Sequence, residues 1–147
     1  MEKKKIAWVD DDIQSSLLSP YIDEFYDYNV EIVRIKSVKG LLETLEKEAL
    51  SLSAILIDTI MPPENLDFGK TRGGLRTGLF IIEQLLNDDT LKNIPIVCVT
   101  NVDDIKVSDF CSQNSIPCLK KGDYFSNTFV EAILEIIESN HNNKAGK

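Results

Sequence analysis

Three consecutive aspartates, Asp10, Asp11 and Asp12, close the first apolar run of this sequence, and a fourth, Asp58, closes another run near the middle. A hydroxyl, Thr100, ends a later run, and two amines, Lys120 and Lys121, end the last. Carboxylates gathered in one place repel one another, and a hard divalent cation with oxygen ligands, Mg²⁺ above all, offsets that repulsion well. The plainer account is that aspartates simply open helices, being favoured at N-caps and in first turns. It serves for Asp12, and for Asp103 and Asp104. It explains poorly why Asp58, which no helix follows directly, should terminate a buried run.

A second chemical signal is the stretch GKTRGG at residues 69–74. A phosphate-binding loop of the Walker A type requires a glycine five places before the Gly-Lys-Thr, so that consecutive backbone N–H groups can curl around phosphate oxygens. That place holds Glu64, whose carboxylate would repel a phosphate. The nucleotide-binding reading fails.

The elements that must position these groups follow from hydrophobic period. Five short apolar runs, at 6–9, 30–35, 54–57, 94–99 and 116–119, are rich in β-branched residues, as strands of a buried parallel sheet require. Between them lie helical stripes: Ile13, Leu17, Leu18, Tyr21, Ile22 and Phe25; then Val38, Leu41, Leu42, Leu45 and Ala49; then Leu79, Ile82 and Leu86; a weaker one over 103–113; and last Phe125, Phe129, Ile133, Ile136 and Ile137. Pro20 falls inside the first stripe, so that helix must kink or restart there with Ser19 as its cap. Five β-α pairs with long crossovers predict an open parallel sheet covered by helices on both faces, a three-layer α/β sandwich. Ligands of such sheets bind beyond the carboxyl ends of the strands, where all the groups named above are placed.

VDDD after the first strand, LIDTIMP after the third, VCVTN at the fourth and CLKKG at the fifth resemble, in order and position, the receiver domain of two-component response regulators. The resemblance spans roughly residues 4 to 140. It implies a flavodoxin-like (βα)5 fold with strand order 2-1-3-4-5, and transfer of a phosphoryl group from a phosphohistidine to Asp58. It further implies Mg²⁺ held by Asp11 and Asp58 and the backbone carbonyl of Ile60, with Asp10 acting through a bound water. Thr100 would donate to a phosphoryl oxygen. Lys121 would pair with Asp58 and later with the phosphate, Lys120 being its competitor for the role. The partners implied are a histidine kinase or a histidine phosphotransfer protein, and a downstream protein that the sequence does not name.

The chain departs from the family pattern in four places. Cys118 stands where an aromatic switch residue usually lies, three places before the lysine, and a thiol cannot sweep out an aromatic volume. Asn101 is bulkier than the small residue usual after the hydroxyl, and Gly122 replaces a proline. An insertion of about a dozen residues, at 63–76, carries Glu64, Asp67, Lys70, Arg72 and Arg76 among glycines, either as a mobile solvated loop or as a partner-contacting element whose cations are free for that use.

The bulk properties bound the rest. A chain of 147 residues is expected to be one domain over 1–140, with a disordered tail at 141–147. The net charge of −8 and pI near 4.6 argue against direct contact with nucleic acids and anionic membranes. Cys98, Cys111 and Cys118 lack metal-ligand spacing and read as small core residues of a reduced, cytoplasmic protein, and the only histidine, His141, lies in the tail. The N-terminus is neither a signal peptide nor a membrane span. Two other readings compete: a degenerate receiver acting as a phosphorylation-independent binding module, and an aspartyl-nucleophile phosphohydrolase of the haloacid dehalogenase type. The latter needs a second acid two places after the nucleophile, and Ile60 is there. No turnover of an external substrate is expected.

Overall fold

The computed structural model describes residues 3–61, 64, 66, 69, 71, 73, 74, 76–101 and 103–145, with side chains to residue 140. Its strands are β1 (Lys4–Val9), β2 (Val30–Ile35), β3 (Leu52–Asp58), β4 (Ile96–Thr100) and β5 (Cys118–Lys120). Helices α1 (Ser19–Asp27), α2 (Leu41–Glu48), α3 (Thr77–Leu86), α4 (Ile105–Gln113) and α5 (Ser126–Ala145) alternate with them. All strand pairs are parallel, in the order β2-β1-β3-β4-β5. This is the helix-covered parallel sheet expected from the β-α alternation, in the flavodoxin-like strand order that the resemblance implies.

Period two along each strand divides the core between two faces. Ala7, Val9, Ile55, Ile57, Ile96 and Cys98 pack with α2, α3 and α4 residues, among them Leu45, Ile82 and Val107. Ile6, Trp8, Ala54, Leu56, Val97 and Val99 pack on the other face with Phe25 of α1 and Phe129 and Ile133 of α5. Trp8 stacks on Phe129 at 5.8 Å and meets the edge of Phe25 at 6.2 Å. With both faces covered, the strands can afford the near-continuous apolar runs seen in the sequence.

The element ends differ from the periodic reading for local reasons. Residues 11–18 form a series of tight turns, with the N–H of Ser15 donating to Asp12 O and that of Leu18 to Ser15 O, so α1 begins only at Ser19. Pro20 lies in its first turn, where a missing N–H costs little. The cap position is Leu18 rather than Ser19, and no side chain caps it. Leu17, counted in the helical stripe, is consequently exposed, as is Phe125, which precedes α5. Strand β5 starts at Cys118 because Pro117 has no N–H to offer, although its carbonyl accepts from Cys98 N–H at 2.9 Å. At the other end, α5 runs to Ala145, five residues into the stretch expected to be a disordered tail, since no proline or glycine interrupts it before Gly146.

The N-terminus of α3 is pressed onto the end of β3. The Gly78 N–H donates to Thr59 O at 3.0 Å, and Thr77 Oγ1 donates to the Met61 carbonyl. A Cβ at Gly78 would lie 2.2 Å from the Asp58 carbonyl oxygen and 2.7 Å from Thr59 Cα. Both are backbone atoms that cannot swing aside. Gly78→Ala is therefore expected to destabilise the fold by about 1–3 kcal/mol, the usual range for overpacking, measured by urea unfolding; a change under about 0.5 kcal/mol would show that α3 can retreat from β3 freely.

Candidate phosphoacceptor site

Strand register gathers the polar groups at the carboxyl edge of the sheet. Val9 is level with Ile57 and Asp58 with Val99, which sets Asp10 beside Asp58; Thr100 is level with Lys120, which sets Lys121 one residue beyond the hydroxyl. Parallel strands bring all these ends to one side only.

Of the three N-terminal acids, Asp10 alone is buried. Its Oδ2 accepts from Lys121 Nζ at 3.1 Å and its Oδ1 from the Asp12 N–H at 2.9 Å. Lys121, expected to face Asp58, thus makes its hydrogen bond to Asp10 instead. The amine is only 8% exposed, and a buried cation takes the nearest buried carboxylate. Lys120 points elsewhere and pairs with Asp103 at 3.1 Å on the surface. Of the two lysines, Lys121 is the one that faces the acids. Carboxylate oxygens of Asp10, Asp11 and Asp12 lie within 4.8 Å of one another. Asp58 stands outside that set, so among the described residues the tightest group of acids includes Asp12, which the sequence suggests merely opens a helix.

Electrostatics nonetheless tie Asp58 to Asp10 and Asp11. Burial first, and then the charge of Asp10, push the Asp58 carboxyl up to about 7, with Asp11 adding to the rise; Lys121 and the Ile60 N–H, which donates to Asp58 Oδ1 at 3.2 Å, oppose it. Asp11 is also raised, by partial burial and then by Asp12 and Asp10. Asp12 is absent from the charges acting on Asp58. One lysine against four acids leaves a surplus of negative charge that a hard dication would neutralise, and the donor set, carboxylate and carbonyl oxygens, suits Mg²⁺.

Sequence reasoning overlooked Thr59. Its hydroxyl is fully buried and donates to Thr100 Oγ1 at 3.0 Å, joining the ends of β3 and β4 beside Asp58. The only signal for it was a hydroxyl residue directly after the aspartate.

The described residues between β3 and α3 are held more closely than the glycines suggest. Arg76, expected as a free cation, makes a two-pronged bond to Asp104, Nε to Oδ2 at 3.0 Å and Nη2 to Oδ1 at 3.2 Å. Asp104 also caps α4 by accepting from the Lys106 N–H, and the guanidinium holds its carboxyl below the ordinary range. Thr71 is fully buried, its carbonyl accepting from Arg76 N–H at 2.7 Å, and the Met61 N–H donates to Gly74 O at 3.0 Å. Glu64 accepts from the Lys39 N–H at 3.0 Å. Asp67, Lys70 and Arg72 lie outside the described residues.

No family sequence model and no curated protein sequence matches this chain. Solved structures do. A CheY-like response regulator receiver domain protein from Methanospirillum hungatei JF-1 aligns with a TM-score of 0.73 at 16% identity, over 97% of this chain and 99% of that one. A response regulator from Desulfuromonas acetoxidans gives 0.70 at 12%, over 92% and 97%. Chemotaxis protein CheY4 of Vibrio cholerae gives 0.69 at 16%, over 92% and 99%. The described helices include none long and apolar enough to cross a membrane. Nearly end to end, this chain has the fold of CheY-like response regulator receiver domains.

Proposed function

We propose that this protein is a phosphoacceptor receiver of a two-component phosphorelay, taking a phosphoryl group on Asp58 from a histidine kinase or histidine phosphotransfer protein and signalling through contacts with a downstream protein. The observation that carries the reading is the convergence, at one rim of a receiver fold, of Asp58, the Lys121–Asp10 ion pair and the Thr59–Thr100 hydroxyl pair.

In the transfer, an Asp58 oxygen forms the new bond to phosphorus as the bond from phosphorus to the donor nitrogen breaks. Asp58 must be ionised to attack, and the neighbours that raise its pKa make this the step the site has to manage. Mg²⁺ held by Asp11, Asp58 and the Ile60 carbonyl, with Asp10 acting through a bound water, would favour the ionised form and screen the phosphoryl oxygens. The Thr100 hydroxyl, which accepts from Thr59, donates to one phosphoryl oxygen. Lys121 supplies positive charge to another, and its present partner, Asp10, is close enough to the acceptor for the amine to be shared. Domain limits of about 1–140, with the insertion at 63–76 as a partner-contacting element, and a cytoplasmic location belong to the same proposal, as does the absence of turnover on external substrates.

Incubation with acetyl phosphate and Mg²⁺ should add one phosphoryl group by intact mass, and Asp58→Asn or EDTA should abolish it. Lys121→Ala should slow labelling by at least about tenfold, the loss expected when a charge at the reacting group is removed. Equal labelling of Asp58→Asn would move the acceptor elsewhere, whereas a wild type that takes no label would favour the binding-module reading.

The raised pKa of Asp58 also sets a pH dependence. The folded protein retains a proton there up to about pH 7, whereas the unfolded chain releases it near pH 4. Native protein therefore binds more protons in this window, and stability falls as pH rises through it. Without metal, Asp58→Asn should melt above wild type at pH 8 by several degrees, each kcal/mol shifting the midpoint by roughly 2–4 °C in a domain of this size, and the gap should shrink toward pH 4.5. Melting curves at the two pH values check it. A pH-independent gap would mean that the carboxylate's charge is not what limits stability.

A further inference from the structure

The three cysteines are dispersed in sequence, yet their sulfurs meet. Cys98 on β4 and Cys118 on β5 are register partners, and Cys111 reaches them from α4. All three Sγ atoms lie within 4.8 Å of one another. Thiolates around one ion at about 2.3 Å would be roughly 3.8–4.0 Å apart, so a small inward shift would close the ring. Cys98 and Cys111 are buried, but Cys118, expected in the core, is exposed because β5 is an edge strand of only three residues. It opens on a groove of about 690 Å³ whose lining includes Asp123 and the Lys120–Asp103 ion pair, an entry wide enough for a hydrated cation.

We propose that Cys98, Cys111 and Cys118 form a three-thiolate site for a soft d¹⁰ cation, Cu⁺ or Zn²⁺, entered from the groove at Cys118. Sulfur ligands select soft ions over Mg²⁺, so this site and the oxygen-lined rim would not compete for metal. The described residues include no fourth His, Cys or acid in the cluster. Three-coordinate Cu⁺ is satisfied by that set, whereas Zn²⁺ would keep an open position filled by water or a small thiol. Binding releases the thiol protons to solvent. The bound ion would tie α4 to β4 and β5, directly beneath Thr100 and Lys121.

The test is titration of the reduced full-length protein with Cd²⁺ as spectroscopic probe, and then competition by Zn²⁺ and, under anaerobic conditions, Cu⁺. A sulfur-to-metal charge-transfer band should saturate at one Cd²⁺ per chain. In Cys118→Ser its intensity should fall by about one third, and affinity by more than the roughly 10–100-fold that loss of an outer-shell partner causes. Cys111→Ala should behave alike, while Asp11→Asn should keep the band, since oxygen ligands contribute none. The ion that displaces Cd²⁺ at the lower concentration identifies the physiological class. A band no stronger in wild type than in Cys118→Ser, or one lost in Asp11→Asn, would overturn the proposal. So would a protein that shows no band when reduced but loses two hydrogens by mass on mild oxidation, which would make the cluster a disulfide pair.

Discussion

A buried ion pair holds the carboxyl rim together. Lys121 and Asp10 are 111 positions apart in sequence and meet at 3.1 Å with little solvent around either. Breaking such a pair by removing one partner strands the other charge in a poor dielectric, which makes both residues structurally obligatory whatever else they do. The pair also joins β1 to the turn after β5, so the two sides of the site cannot drift apart. Every other group at the rim is arranged around it: Asp58 senses both members, and Asp11 senses both as well.

Around that pair the fold accumulates negative charge it does not neutralise. Four carboxylates face one amine, and the carboxyls of Asp11 and Asp58 are raised in consequence. A protein optimised only for stability would not keep this arrangement, because each ionised neighbour adds repulsion. Surplus charge of this kind marks a place where function sets the terms. The close seating of α3, with Gly78 against the Asp58 carbonyl, and the Thr59–Thr100 hydrogen bond keep the strand ends fixed beneath that charge.

The segment after β3 shows how composition misleads. Glycines and cations suggest a mobile arm, but Arg76 is spent on Asp104 and Thr71 is fully buried. Arg76, just before α3, is thereby tied to the start of α4, the same helix that carries Cys111. Arg76 and the thiol cluster thus both adjoin α4.

The five β-α units and the rim position of Asp10, Asp58, Thr100 and Lys121 were legible in the sequence, because apolar runs of strand length alternate with helical periods and strand ends in a parallel sheet share one edge; the strand order came from the resemblance to receiver domains. Side-chain partnerships were not legible. Which acid Lys121 meets, that Arg76 bonds Asp104, and that Thr59 bonds Thr100 depend on distances of a few tenths of an ångström between strands far apart in the chain. Helix starts were misread where turns replaced a helical first turn after Asp10. The sequence by itself determined the fold class and the chemical types present at the rim, through local periodicity. Only the tertiary structure decided that three scattered cysteines converge and that one is exposed, because strand register and the packing of α4, not spacing along the chain, bring sulfur to sulfur.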